Sequence, residues 1–118
     1  METMLVVDDS ATSRAIFKAC LPSDADFMVS EANSFDSAIA VAKELEPDVC
    51  VLDYNLPDKT GLDIAKAIID LGYTCRFVLM TANMQDAVVM RAKALNFVHL
   101  MEKPITIEKI NIMIEALS

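Results

Sequence analysis

Residues 49–61 read VCVLDYNLPDKTG, and the order of residue types in that stretch decides the fold. Val49 to Leu52 is a short, unbroken apolar run rich in β-branched side chains, the composition of a strand covered on both faces. Asp53 ends the run. Pro57, Asp58 and Gly61 mark a loop. Leu62, Ala65, Ile68 and Ile69 then recur at helical spacing until Gly72. A buried strand that passes through a loop into a helix is half of a βαβ unit.

Working outward, the same pattern repeats. Met4 to Val7 is an apolar run followed by a helix over 11–21 with Ile16, Phe17, Cys20 and Leu21 on one face, stopped by Pro22. Phe27 to Val29 leads to a helix N-capped by Ser34 and carrying Phe35, Ala38, Ile39, Ala42 and Leu45. Phe77 to Met80 precedes a fourth helix marked by Met84, Val88, Ala92 and Leu95. Val98 to Met101 precedes a fifth with Ile107, Ile110, Ile114 and Leu117. Five strands alternating with five helices predict an α/β fold with a doubly wound parallel sheet. MLVV, VCVL and FVLM are apolar throughout and belong in the centre. FMVSE and VHLME are interrupted by polar residues, as edge strands can be. Right-handed crossovers then give the order 2-1-3-4-5, with a switch point between strands 1 and 3.

Length and charge bound what such a domain does. The chain has 118 residues, with 10 Lys plus Arg against 18 Asp plus Glu and a net charge of −8. That length suits one domain, residues 1–118, with a core large enough to need no disulfide or metal staple. The acidic balance argues against a nucleic-acid or anionic-membrane partner. No apolar run approaches the roughly 18 residues of a membrane span. The N-terminus lacks the basic and apolar regions of a signal peptide. Cys20, Cys50 and Cys75 show no metal-ligand spacing and read as core thiols of a reducing cytoplasm.

Ligands of open α/β sheets bind beyond the carboxyl ends of the strands. Those ends hold Asp8 and Asp9, Asp53, Thr81, and Glu102 with Lys103. If strands 1 and 3 are neighbours, three carboxylates converge and raise one another's pKa unless a cation intervenes. Oxygen donors without a dedicated cage suit Mg²⁺ better than Ca²⁺. A carboxylate beside Mg²⁺, with a hydroxyl and a lysine opposite, suits phosphoryl transfer through an acyl phosphate. Helix capping, by Asp9 and Ser10 at the first helix for example, explains one acid per strand end but not Lys103 on the same rim.

The motifs VVDDS, VLDYNLPDKTG, MTA and EKP, in this order, resemble the receiver domain of two-component response regulators, and the single-domain chemotaxis type most closely. That family has this flavodoxin-like sheet, so fold and family are one inference here. The resemblance implies that Asp53 is the phosphoacceptor and takes its phosphoryl group from a phosphohistidine. Mg²⁺ is held by Asp9 and Asp53 directly, by Asp8 mainly through water, and by the backbone carbonyl of Asn55. Lys103 pairs with the phosphoryl group and Thr81 turns inward to bond it. Lys103–Pro104 is a cis bond, and Asn55 and Asn83 tune the access of water. Three features depart from the family. Leu100 stands where Tyr or Phe usually moves with the threonine, Leu56 stands where methionine is common, and Asn96-Phe97 replaces a frequent Gly-Ala pair. His99, the only histidine, reads as a half-exposed strand residue.

The implied partners are a sensor histidine kinase or a histidine phosphotransfer protein, and a downstream protein bound by the fourth helix, fifth strand and fifth helix. Ile105, Ile112 and Ala116 fall opposite the core stripe of the fifth helix, and Met84, Met90, Met101 and Met113 offer adaptable contacts nearby. The chain reads as a stand-alone switch, because it ends after the fifth helix, and not as an enzyme beyond self-phosphorylation and self-dephosphorylation. A phosphorelay or phosphate-sink receiver, or a module of a larger regulator or hybrid kinase, is the alternative. An aspartate-nucleophile phosphatase would need a substrate-specificity segment. Against a degenerate binding module stand the intact Asp8, Asp9, Asp53, Thr81 and Lys103, while Leu100 keeps that reading open. A flavodoxin-like nucleotide binder would need a glycine-rich first turn.

Overall fold

The structure, a computed structural model, describes residues 1–118. Ten elements alternate: β1 (Glu2–Val7), α1 (Ala11–Cys20), β2 (Phe27–Ala32), α2 (Phe35–Leu45), β3 (Val49–Asp53), α3 (Gly61–Asp70), β4 (Arg76–Thr81), α4 (Asp86–Ala94), β5 (His99–Glu102) and α5 (Ile107–Leu117). The sheet is wholly parallel in the order β2-β1-β3-β4-β5, as the strand compositions predict. No helix is long and apolar enough to cross a membrane.

Strand side chains alternate, so each central strand feeds two cores. Leu5, Val7, Cys50, Leu52, Phe77 and Leu79 face Ala38, Ala42, Ile64, Ala65, Ile68, Val88 and Ala92 of α2, α3 and α4. Met4, Val6, Val49, Val51, Val78, Met80 and Met101 face Phe17 of α1 and Ile110, Met113 and Leu117 of α5. Local chemistry sets the helix starts. Ser10, Ser34, Thr60 and Thr106 each accept a hydrogen bond from the backbone N–H three residues on. Thr60 and Asp63 complete a capping box, with Asp63 accepting from the Thr60 backbone at 2.8 Å.

Several details differ from the sequence expectation. The core stripe of α5 is Ile110, Met113 and Leu117, while Ile107 is exposed. Met101 and Met113 are therefore core residues rather than adaptable surface ones. Ile105 precedes α5 and packs against the α1–α5 core instead of facing away from it. Ile16 and Ile69 lie on the exposed flanks of their helices, and Ile64 takes the buried place expected of Ile69. Met84 lies before α4, whose N-cap Gln85 makes no side-chain cap bond. Val98 lies just outside β5 and is exposed.

The Asn96-Phe97 pair has a local reason. Asn96 adopts a left-handed φ of 63°, which asparagine tolerates well. Phe97 is buried and packs on Phe77, with ring centroids 5.5 Å apart.

Candidate phosphoryl-transfer site

Three strand ends build the site. Asp8 follows β1, Asp53 ends β3, and Lys103 follows β5 across the rim. Asp8 and Asp53 are buried and Asp9 is exposed, yet one carboxylate oxygen from each lies within 4.8 Å of the others. Lys103 Nζ sits 2.8 Å from Asp8 Oδ2 and 3.3 Å from Asp53 Oδ2. The Ser10 backbone N–H donates to Asp8 Oδ1 at 2.9 Å, and the Asn55 N–H donates to Asp53 Oδ1 at 3.4 Å.

Electrostatics follow from that crowding. Burial, and then the neighbouring Asp8 carboxylate, push the Asp53 pKa above the usual aspartate range; Lys103 and the Asn55 N–H oppose the rise. Burial alone would lower the Lys103 pKa, but its bonds to Asp8 and Asp53 outweigh that and leave it raised. Three carboxylates against one ammonium leave a charge deficit of two, which a divalent cation matches. The donor set is all oxygen, so the residues present fit Mg²⁺.

Loop geometry fixes the position of Asp53. The Gly61 N–H donates to the Tyr54 carbonyl, and Asn55 bridges Thr60, so the segment after β3 folds back on itself. A Cβ on Gly61 would stand 2.6 Å from the Asp53 backbone oxygen, so only glycine lets α3 start this close to β3. The Lys103–Pro104 bond is cis, as the resemblance implies. Thr81 is buried, and its hydroxyl donates to the Asn83 carbonyl at 3.1 Å and accepts from the Asn83 N–H at 3.2 Å. That hydroxyl is thus engaged with the β4–α4 loop. Leu100 pairs with Leu79 in register and packs on the α2–α4 side of the sheet. His99 is half-buried, and burial lowers its pKa.

Two contacts escaped the sequence reading. Arg14 Nη1 donates to the Asp8 backbone carbonyl at 2.5 Å, while its Nε donates to Glu31 at 2.9 Å. The available signal was position: helix side chains tilt toward the N-terminus, so an arginine four residues past the Ser10 cap reaches back over the β1 end. Arg91 of α4 donates to the Tyr54 hydroxyl at 3.1 Å, a contact between residues far apart in sequence that no local pattern announces.

Comparison with known proteins turns this geometry into an assignment. The family profile described as "Response regulator receiver domain" matches residues 4–115. The chain belongs to that family. This receiver is 29% identical over 115 residues to a probable chemotaxis protein CheY of Rhizobium etli, covering 96% of this chain and 89% of that one. It is 35% identical over 103 residues to a protein-glutamate methylesterase/protein-glutamine glutaminase of Caulobacter vibrioides, spanning 30% of that protein. The chemotaxis protein CheY4 of Vibrio cholerae superposes with a TM-score of 0.90 at 25% identity, covering 100% of this receiver and 99% of that chain. The receiver is CheY-like, a module of two-component signal transduction.

Proposed function

We propose that Asp53 is the phosphoacceptor and that Asp9, Asp53 and the Asn55 backbone carbonyl hold Mg²⁺ directly. The observation that carries this reading is the convergence of Asp8, Asp9 and Asp53 within 4.8 Å, with Lys103 Nζ 3.3 Å from Asp53. Both oxygens of Asp8 are already engaged, by Lys103 and by the Ser10 N–H, which supports a role for Asp8 through water. When bound, Mg²⁺ supplies positive charge against the phosphoryl oxygens. An Asp53 carboxylate oxygen bonds phosphorus as the bond from phosphorus to the donor histidine nitrogen breaks. Lys103 stays beside Asp53 and pairs with the phosphoryl group. The Thr81 hydroxyl leaves Asn83 to donate to the group, and so moves the β4–α4 loop.

The chain in this reading is one receiver domain, 1–118, working in the cytoplasm. It catalyses only its own phosphorylation and dephosphorylation. It receives from a sensor histidine kinase or a histidine phosphotransfer protein and signals through α4, β5 and α5. Met90, Val98 and Ile112 are exposed apolar residues on or beside those elements, which supports that face. Leu100 brings no aromatic ring to the switch, so motion of the threonine loop carries the signal without an aromatic partner.

Incubation with acetyl phosphate and Mg²⁺, read by intact mass, should add one phosphoryl group, and Asp53→Asn should abolish it. Labelling that persists in Asp53→Asn rejects the acceptor. Ile112→Glu should weaken binding of the downstream partner about tenfold or more without altering phosphorylation, consistent with loss of roughly 1.4 kcal/mol of apolar contact. Unchanged partner affinity rejects the α5 part of the face.

A further inference from the structure

Two thiols meet on the α2–α4 face of the sheet, outside the phosphoryl site. Cys50 is buried in β3, and Cys75 is half-buried immediately before β4. Cys50 pairs in register with Phe77, and residues two apart on a strand share a face, so Cys75 lies diagonally beside Cys50. Their Sγ atoms are 3.1 Å apart, inside ordinary van der Waals contact for two sulfurs. About 1 Å of further approach reaches bonding distance. Cys20 packs against the opposite core, with the sheet between it and this pair.

We propose that Cys50 and Cys75 are a modification site, a dithiol that a hydroperoxide converts to an intramolecular disulfide and a reducing thiol restores. Cys75 is the entry point. It lines a surface cleft of about 250 Å³ with Ile69, Tyr73, Phe77 and Leu95, whereas Cys50 has no exposure. Cys50, with no exposure of its own, meets an oxidant only through Cys75 and so acts second; its hydrogen-bonded contact with Cys75, and then burial, raise its pKa.

The chemistry balances. Cys75 Sγ attacks the hydroperoxide, the O–O bond breaks, and the departing oxygen leaves as alcohol or water with the thiol proton. Cys75 is then a sulfenic acid. Cys50 Sγ attacks that sulfur, the S–OH bond breaks, and hydroxide departs as water with the Cys50 proton. Two thiols are oxidised by two electrons and one hydroperoxide is reduced. The product links residues 25 apart and ties β3 to β4 at the end of the sheet opposite Asp53 and Thr81.

The test uses the reduced full chain and hydrogen peroxide. Intact mass should fall by about 2 Da. Tryptic mapping should join peptide 44–59 to peptide 67–76. Dithiothreitol should reverse both changes. Cys75→Ser and Cys50→Ala should each abolish the mass loss, and Cys20→Ser should leave it unchanged. Should Cys50→Ala fail to fold, the peptide map of the natural chain still decides. The proposal is overturned if Cys75 only gains oxygen, about 16 Da per step, while Cys50 stays open to alkylation after unfolding. It is equally overturned if both thiols remain free, or if disulfides form only between molecules through Cys20.

Discussion

Replacing Gly61 by alanine would put a methyl carbon 2.6 Å from the backbone oxygen of Asp53 and 3.0 Å from Leu52 Cβ. The first is less than any real Cβ contact, and the obstacle is backbone, which cannot rotate aside. Gly61 is the first residue of α3, so its conformation is ordinary and alanine would otherwise improve the helix by up to about 1 kcal/mol. Overpacking of this kind costs about 1–3 kcal/mol, so Gly61→Ala should lose a net ~1–2 kcal/mol. The shift falls on Asp53, the proposed phosphoacceptor, so acetyl phosphate labelling should also slow several-fold. The other glycine, Gly72, provides the control. Nothing lies within 4 Å of a Cβ there, but φ is +87°. Gly72→Ala should cost about 1 kcal/mol through backbone strain alone and leave labelling untouched. Asparagine separates the two causes: it should be tolerated better than alanine at 72, where a left-handed φ is the problem, and worse than alanine at 61, where size is. Urea unfolding gives the stabilities and the time course of mass gain gives the labelling. A Gly61→Ala protein within ~0.5 kcal/mol of the natural chain, with normal labelling, would refute the close-approach argument.

Two further perturbations test the surroundings of the site. Arg14→Ala removes the bond to the Asp8 carbonyl, so Mg²⁺ affinity measured by calorimetry should fall about tenfold, in line with loss of one charge-assisted hydrogen bond of ~1.5 kcal/mol; unchanged affinity in a folded variant rejects the role. The Glu31 pKa is lowered by its bonds to Lys18 and then Arg14, so its stabilisation is present above its ordinary value near 4.5 and disappears as pH falls through the lowered one. The Tm difference between the natural chain and Glu31→Gln should therefore shrink on acidification below that value, and a difference independent of pH contradicts the ion-pair account.

The strands were legible because burial on both faces demands unbroken apolar runs, a requirement written into consecutive residues. The rim acids, Thr81 and Lys103 were legible for a related reason: a polar residue directly after such a run must lie at the end of the sheet, where ligands bind. Helix facing was less secure. In α5 a stripe through Ile107 and one through Met113 both satisfy a turn of about 100° per residue, because apolar residues occupy more than one side. Docking against Val6, Val51 and Met80 selected Met113 and left Ile107 in solvent.

Local order in the chain thus determined the five-stranded sheet and the cast of polar residues at its carboxyl edge, since both follow from periodicity and from what ends each run. The tertiary structure alone decided how those residues are paired. It committed both Asp8 oxygens to neighbours, engaged the Thr81 hydroxyl with Asn83, and brought Arg14 to the Asp8 carbonyl. It also set Cys75 against Cys50. The physical reason is that a hydrogen bond or a thiol contact depends on side-chain positions to within an ångström, and strand register and helix docking fix those only once the whole chain has packed.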